Sequence, residues 1–170
     1  MRKPAQVALV GTLACAVLGG CTHDEPKPVD TTSSQYMYDR IFDPCHQIPQ
    51  QFLEKHHLDT KPEGTENRIE QYVSLGCSYD ASEYDLIVEV SNAPLHEIPL
   101  LDRDRYQQTR VAGRAAKILS LPLEQRICVL NIEITGGILS LYLARKVALD
   151  PCTTLTALAG ELIPLLPPEA

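Results

Sequence analysis

The four cysteines beyond residue 40 constrain the fold of this chain more than any other feature. They are Cys45, Cys77, Cys128 and Cys152, whereas the other two of the six cysteines, Cys15 and Cys21, stand near the N-terminus. An even number of cysteines in an exported domain is typical of disulfides, so we expect two of them. A structural zinc site would need closely spaced pairs such as C-x-x-C, which the sequence lacks. We therefore predict neither a metal site nor a cofactor.

The N-terminal stretch predicts that the chain is exported. Arg2 and Lys3 precede an apolar run over residues 7–18, which is the length of a signal-peptide core and too short to span a bilayer. Leu18-Gly19-Gly20-Cys21 resembles the lipobox of bacterial lipoproteins. This resemblance implies a signal peptide over residues 1–20, a lipid on Cys21, and a protein anchored to the extracytoplasmic face of the cell membrane. The alternatives are a transmembrane helix or a chance cysteine.

The residues after Cys21 predict a tether and then one domain. Residues 21–40 are rich in Pro, Ser, Thr and Asp, a composition typical of a flexible linker, although Tyr36 to Tyr38 could instead pack as an edge strand. We expect residues 41–170 to form a single disulfide-stapled domain. Without the leader the chain has 13 basic and 22 acidic residues, a net charge of −9. This charge argues against a nucleic acid partner and leaves the lipid as the attachment to the membrane.

Two similar motifs predict helix starts, and their cysteines suggest how the disulfides pair. Asp43-Pro44-Cys45 and Asp150-Pro151-Cys152 each offer an aspartate that can cap a first helical turn and a proline that suits it. We expect helices over residues 50–57 and from residue 151 to Pro164. Because Cys77 and Cys128 stand in strand-like runs, each helix start should be joined to a strand. The sequential pairing, Cys45 with Cys77 and Cys128 with Cys152, is the one we expect.

Alternating apolar and polar residues predict five strands, over residues 72–79, 85–90, 115–119, 127–134 and 138–144. Gly136-Gly137 should supply the positive φ of a tight turn between the last two. The expected fold is α+β: a roughly five-stranded, mainly antiparallel sheet with two helices packed on one face. The link over residues 91–108 is either a functional loop or a short helix at the sheet edge.

Several of these motifs together resemble an actinobacterial lipoprotein family, the domain of unknown function 3558. They are the lipobox ending at Cys21, Asp43-Pro44-Cys45, Gly76-Cys77-Ser78-Tyr79, Val111-Ala112-Gly113-Arg114-Ala115, and the cysteine pair Cys128 and Cys152. The resemblance covers nearly the whole chain. It implies this fold and this location, and it implies no activity.

Candidate contact residues are few. His96 beside Glu97 could contact a ligand, and Arg114 could pair with a buried carboxylate or meet an anionic ligand. No catalytic motif occurs in the sequence. We expect a non-catalytic envelope lipoprotein that binds a protein partner or a small or lipidic ligand. The alternative is an envelope hydrolase, which a deep polar pocket with His96, Glu97 and a second carboxylate would favour, whereas an open sheet face or an apolar cleft would favour binding.

Overall fold

In the computed structural model, seven antiparallel strands form one sheet in the order β1-β2-β3-β7-β6-β5-β4. The structure describes residues 42–59, 63–69, 72–97, 106–121 and 126–167. The strands are β1 (Glu63–Ile69), β2 (Tyr72–Asp80), β3 (Tyr84–Ser91), β4 (Gln107–Val111), β5 (Arg114–Leu121), β6 (Ile127–Ile134) and β7 (Gly137–Arg145). The helices of these described residues are α1 (Gln50–Lys55) and α2 (Pro151–Leu162), and a 3-10 turn, Ile163–Leu165, follows α2. The leader, Cys21 and the tether with its possible edge strand lie outside the described residues.

The α+β class and the antiparallel sheet are confirmed, but the number of strands predicted was wrong. The described residues form seven strands instead of five, and the two additional ones, β1 and β4, form the two edges of the sheet. Their sequences, EGTENRI and QQTRV, are mostly polar. Edge strands pair on one side only and bury little, so they lack the apolar alternation by which a strand is detected.

One hydrophobic core lies between the sheet and the helices. Leu86, Val88 and Val90 of β3 contribute alternate side chains to it, and so do β7, which pairs with β3, and β6, which pairs with β7. Phe52 and Leu53 of α1 and the leucines of α2 belong to the same core. Among the described residues, no helix is long and apolar enough to cross a membrane.

The two DPC motifs fold differently. The Asp150 Oδ1 atom accepts a hydrogen bond from the Thr153 amide at 2.6 Å and caps α2, whose first residue is Pro151. Asp43 Oδ1 accepts from the Cys45 amide at 2.8 Å, but this turn does not continue as a helix. The helix α1 begins only after Pro49 and ends before His57, which adopts a positive φ of 53°. It is therefore shorter than the predicted 50–57.

The β6–β7 turn uses its two glycines for different reasons. Gly136 has a φ of +81°, as predicted, whereas Gly137 is not among the residues with positive φ. A Cβ atom at Gly137 would lie 1.9 Å from the Ser91 carbonyl oxygen at the end of β3. The prediction that both residues supply positive φ was therefore wrong for Gly137, which is needed because two backbones approach closely.

Candidate binding site on the second face of the sheet

A row of polar residues crosses all seven strands on the face that points away from α1 and α2, which we call the second face. Successive residues of a strand point to opposite faces, so the neighbours of the core residues Val88, Leu130 and Leu141 belong to the second face. In sheet order the row contains Thr65, Gly76, Glu89, Ser140, Asn131, Lys117 and Gln108, each directly paired with the next. Every member except Gly76 carries a polar side chain. We refer to these residues as the polar row.

The centre of the polar row is buried rather than solvated. Asn131 is 2% exposed and Ser140 is 3% exposed, although both lie on the face opposite α1 and α2. Val129 and Leu119, next to them on the same face, are also buried. Polar side chains are buried in proteins when they are satisfied by hydrogen bonds or serve a function, so this centre needs an explanation.

A pocket of about 210 Å³ opens over this centre. Its polar lining includes Ser74, Glu89, Asn131 and Ser140, and three tyrosines, Tyr72, Tyr106 and Tyr142, also line it. Ala93 and Tyr106 belong to the link over residues 91–108, so the described parts of that link contribute to the pocket. Leu95 to Glu97 form a turn. The middle of the link, residues 98–105, for which a functional loop or a short helix was predicted, lies outside the described part of the chain.

Asn131 carries the one buried side-chain nitrogen or oxygen without a hydrogen-bond partner among the described residues. Its Oδ1 atom accepts a hydrogen bond from the Ser140 hydroxyl at 2.7 Å. Its Nδ2 atom is buried and has no hydrogen-bond partner within the described parts of the chain. An unpaired buried donor costs about 1–3 kcal/mol, which a ligand oxygen could recover.

Glu89 is a half-buried carboxylate in the same pocket. Burial raises its pKa above the ordinary value, and a hydrogen bond with Ser74 acts in the opposite direction. No lysine, arginine or histidine of the described residues forms an ion pair with it. Lys117, in the same row, donates instead to the Leu95 carbonyl oxygen at 3.0 Å.

Tyr142 responds to the same environment. Burial raises the pKa of its hydroxyl most, and the negative charge of Glu89 raises it further, to about 12. A hydrogen bond with Ser140 has a smaller, opposite effect on this pKa. The phenol is therefore protonated at neutral pH and can act as a hydrogen-bond donor or acceptor.

The two contact residues predicted from the sequence lie elsewhere. The His96 side chain is 79% exposed and its Nε2 atom lies 3.4 Å from Glu97 Oε1. It borders a separate depression with Arg110, Lys117 and Glu133. Arg114 is the first residue of β5, opposite Val111, and is half-buried. The structure does not bring either residue into the pocket, although the Tyr72 hydroxyl donates a hydrogen bond to Glu97.

Sequence reasoning missed the residues that do form the pocket. Glu89, Asn131 and Ser140 stand as polar positions within apolar strands, which is the expected pattern for a solvated sheet face. A polar side chain in a strand flanked by apolar neighbours on both sides was the available signal. This signal identifies a shared site only when the strand order is known, because these residues meet through the pairing of β3 with β7 and of β7 with β6.

The disulfides join Cys45 to Cys77 and Cys128 to Cys152. This is the sequential pairing, and in both cases a DPC motif is joined to a strand. Within the described ranges, no group of three or more His, Cys, Asp or Glu side chains could hold a metal ion.

Comparison with known proteins gives a family and no activity. No curated protein and no solved structure matches the chain. The family model described as a protein of unknown function, DUF3558, matches residues 16–165. Because this match spans most of the sequence, including both disulfides and every residue of the pocket, the chain belongs to the DUF3558 family.

Proposed function

We propose that this protein is a non-catalytic cell-envelope lipoprotein, anchored through Cys21 on the extracytoplasmic face of the membrane, that holds a small ligand in the second-face pocket. The observation that carries the binding function is the Asn131 amide, which is buried on the lining of this pocket with an unused donor. Concave pockets with a few convergent polar groups are typical small-molecule sites.

The anchor has support from two features. The leader ends at Leu18-Gly19-Gly20-Cys21, and the actinobacterial lipoproteins that the chain resembles carry the same arrangement. The two disulfides favour an oxidising compartment, because such bonds form and persist outside the cytoplasm. Both features agree with export followed by attachment to the membrane.

Binding has more support than hydrolysis. Among the described residues that line the pocket, Glu89 is the one carboxylate, whereas glycoside hydrolysis uses a pair. The hydrolase alternative needed His96 and Glu97 inside a deep polar pocket, but His96 is largely exposed outside it. The described lining of the pocket therefore offers hydrogen-bond partners without an arranged acid and base.

Replacement of Cys21 tests the anchor. In the native host, Cys21→Ala should move the protein from the detergent phase to the aqueous phase of a Triton X-114 partition, because it removes the sulfur that carries the lipid. Cys15→Ala is the matched control, since it also removes a leader cysteine, and it should leave the protein in the detergent phase. Retention of the Cys21→Ala protein in the detergent phase would contradict the anchor.

A thermal-shift screen of small polar molecules against the full-length protein tests the pocket. Molecules that bind the folded state should raise its Tm. Ser74→Phe should abolish these shifts because the residue lines the pocket. Ser78→Phe introduces the same ring on the same strand and face, at an exposed position outside the pocket, and should preserve them. Shifts that survive Ser74→Phe, or no shifts at all in the wild type, would contradict ligand binding at this site.

A further inference from the structure

We infer that the second-face pocket selects a small organic cation that also carries a hydrogen-bond acceptor oxygen, which is the chemistry of an amino alcohol or an amino sugar. This inference rests on the proposed ligand-binding function and names the class of ligand. Among the described residues, Glu89 has no cationic partner and the Asn131 Nδ2 donor has no acceptor, and such a molecule supplies both.

The first group is Glu89. It is half-buried, lines the pocket, and has no cationic partner among the described residues. A carboxylate that is partly removed from water without a counter-charge is unfavourable, and proteins usually pair such groups. A ligand ammonium group would provide the missing positive charge through a charge-assisted hydrogen bond.

The tyrosines favour the same charge. Tyr72, Tyr106 and Tyr142 line the pocket with Glu89, and its described lining contains no lysine, arginine or histidine. Aromatic rings attract cations, and cages of such rings recognise ammonium ligands in other proteins. Lys117, the cation of the polar row, lies three strands from Glu89, a backbone separation of about 14 Å. Its ammonium group already donates to Leu95.

The second group is the Asn131 amide. Its unused Nδ2 donor requires an oxygen acceptor on the ligand, such as a hydroxyl or a carbonyl. Asn131 and Glu89 are separated by β7 alone, a backbone distance of about 10 Å, and both side chains line the same pocket. One small molecule can therefore reach both groups.

The size of the pocket limits the ligand. A cavity of about 210 Å³ is smaller than the roughly 300–1,000 Å³ of sites for drug-sized molecules. It can hold one small ring or a short chain with its ammonium group and its oxygen a few bonds apart. Free amines and the ethanolamine headgroup of a lipid share this chemistry.

Calorimetry with matched ligand pairs tests the inference on the full-length protein at neutral pH. The pairs are ethanolamine with ethylene glycol and glucosamine with glucose, since the members of each pair differ mainly in the amine. We expect the amine to bind at least about tenfold more tightly in each pair. If both free amines bind weakly and vesicles that contain phosphatidylethanolamine displace them, the ligand is still a small organic cation with an oxygen acceptor. Its source is then the headgroup of a lipid.

Two variants assign the preference to residues. Glu89→Gln should reduce the affinity for the amine to that for its neutral partner, whereas Glu133→Gln, an exposed glutamate on the same face, should keep the preference. Asn131→Leu should weaken both members of a pair by the same factor, because both contain the oxygen. If the leucine variant does not fold, the two glutamine variants decide the question.

The outcomes separate the inference from the function on which it rests. Equal binding of amine and neutral partner, abolished by Ser74→Phe, would overturn the cationic ligand and leave the pocket as a binding site. Preservation of the preference in Glu89→Gln would overturn the role of Glu89 and with it the inference. If no small molecule binds in a manner sensitive to Ser74→Phe, the proposed binding function fails as well.

Discussion

The Tyr79 hydroxyl donates a hydrogen bond to the carbonyl oxygen of Pro44, the residue before Cys45. Cys45 in turn forms a disulfide with Cys77, two residues before Tyr79 in β2. The DPC turn is thus attached to the sheet twice, once through sulfur and once through a buried phenol. Burial, and then the negative charge of Asp43, raise the pKa of Tyr79 to about 12, so the hydroxyl remains a donor throughout the physiological range.

We predict that Tyr79→Phe lowers the free energy of unfolding by about 1–3 kcal/mol, because it leaves the buried Pro44 carbonyl oxygen without its partner. Urea denaturation of the oxidised protein measures the loss. Tyr84→Phe is the matched control: its hydroxyl makes a longer bond, 3.4 Å, to the His56 carbonyl oxygen, and it should cause a smaller loss. Equal losses in the two variants would show that the Tyr79 bond contributes nothing specific.

The two disulfides should stabilise the domain to a similar extent. They separate the joined residues by 32 and 24 positions, and in the chain-entropy model loops of these sizes contribute about 3.5 kcal/mol each. We predict that the double variants Cys45→Ala/Cys77→Ala and Cys128→Ala/Cys152→Ala each lose about that amount in urea denaturation. A loss confined to one of the two pairs would contradict this account, since loop entropy differs little between them.

Local sequence patterns predicted the central strands and the capped helix well. Residues 127–134 were expected as a strand and form β6. Apolar residues point to both faces of this strand, and the turn that follows it defines its end. Asp150 and Pro151 likewise specify the start of α2 through local hydrogen bonding and a fixed φ. In such elements the physical cause lies within a few residues of the effect.

The edge strands and the pocket depend on distant partners. Asn67 in β1 forms part of a strand only because Ser74 pairs with it, and its own neighbours are polar. Glu89 and Asn131 share a pocket because β7, encoded after both of them, inserts between β3 and β6. A local pattern shows that these side chains lie on one face, but strand order decides which of them meet. The sequence therefore could not identify the site.

Gly137 should tolerate no side chain. Because a Cβ atom there would lie 1.9 Å from the Ser91 carbonyl oxygen, the start of β7 would have to move away from the end of β3. We predict that Gly137→Ala lowers the free energy of unfolding by about 3 kcal/mol or more, measured by urea denaturation. Gly160→Ala is the control: Gly160 lies in α2 with no atom near the added methyl group, and the substitution should stabilise by about 0.5–1 kcal/mol. A neutral Gly137→Ala variant would contradict the close approach.

Glu89→Gln should stabilise the protein at neutral pH while it removes the proposed ligand preference. Burial raises the pKa of Glu89 in the folded state, so the fold prefers the neutral carboxyl. Below the unfolded pKa of about 4.3 the group is protonated in both states, and wild type and variant should be similarly stable. As the pH rises through the raised pKa, the wild type should lose stability relative to the glutamine variant.

Urea denaturation of both proteins from mildly acidic to neutral pH measures this difference, and Glu133→Gln controls for the loss of one carboxylate on the same face. A difference that is independent of pH, or a variant less stable than the wild type at pH 7, would contradict the buried carboxylate. A gain in stability when Glu89 is replaced is what we expect of a residue that is retained for binding at the expense of stability.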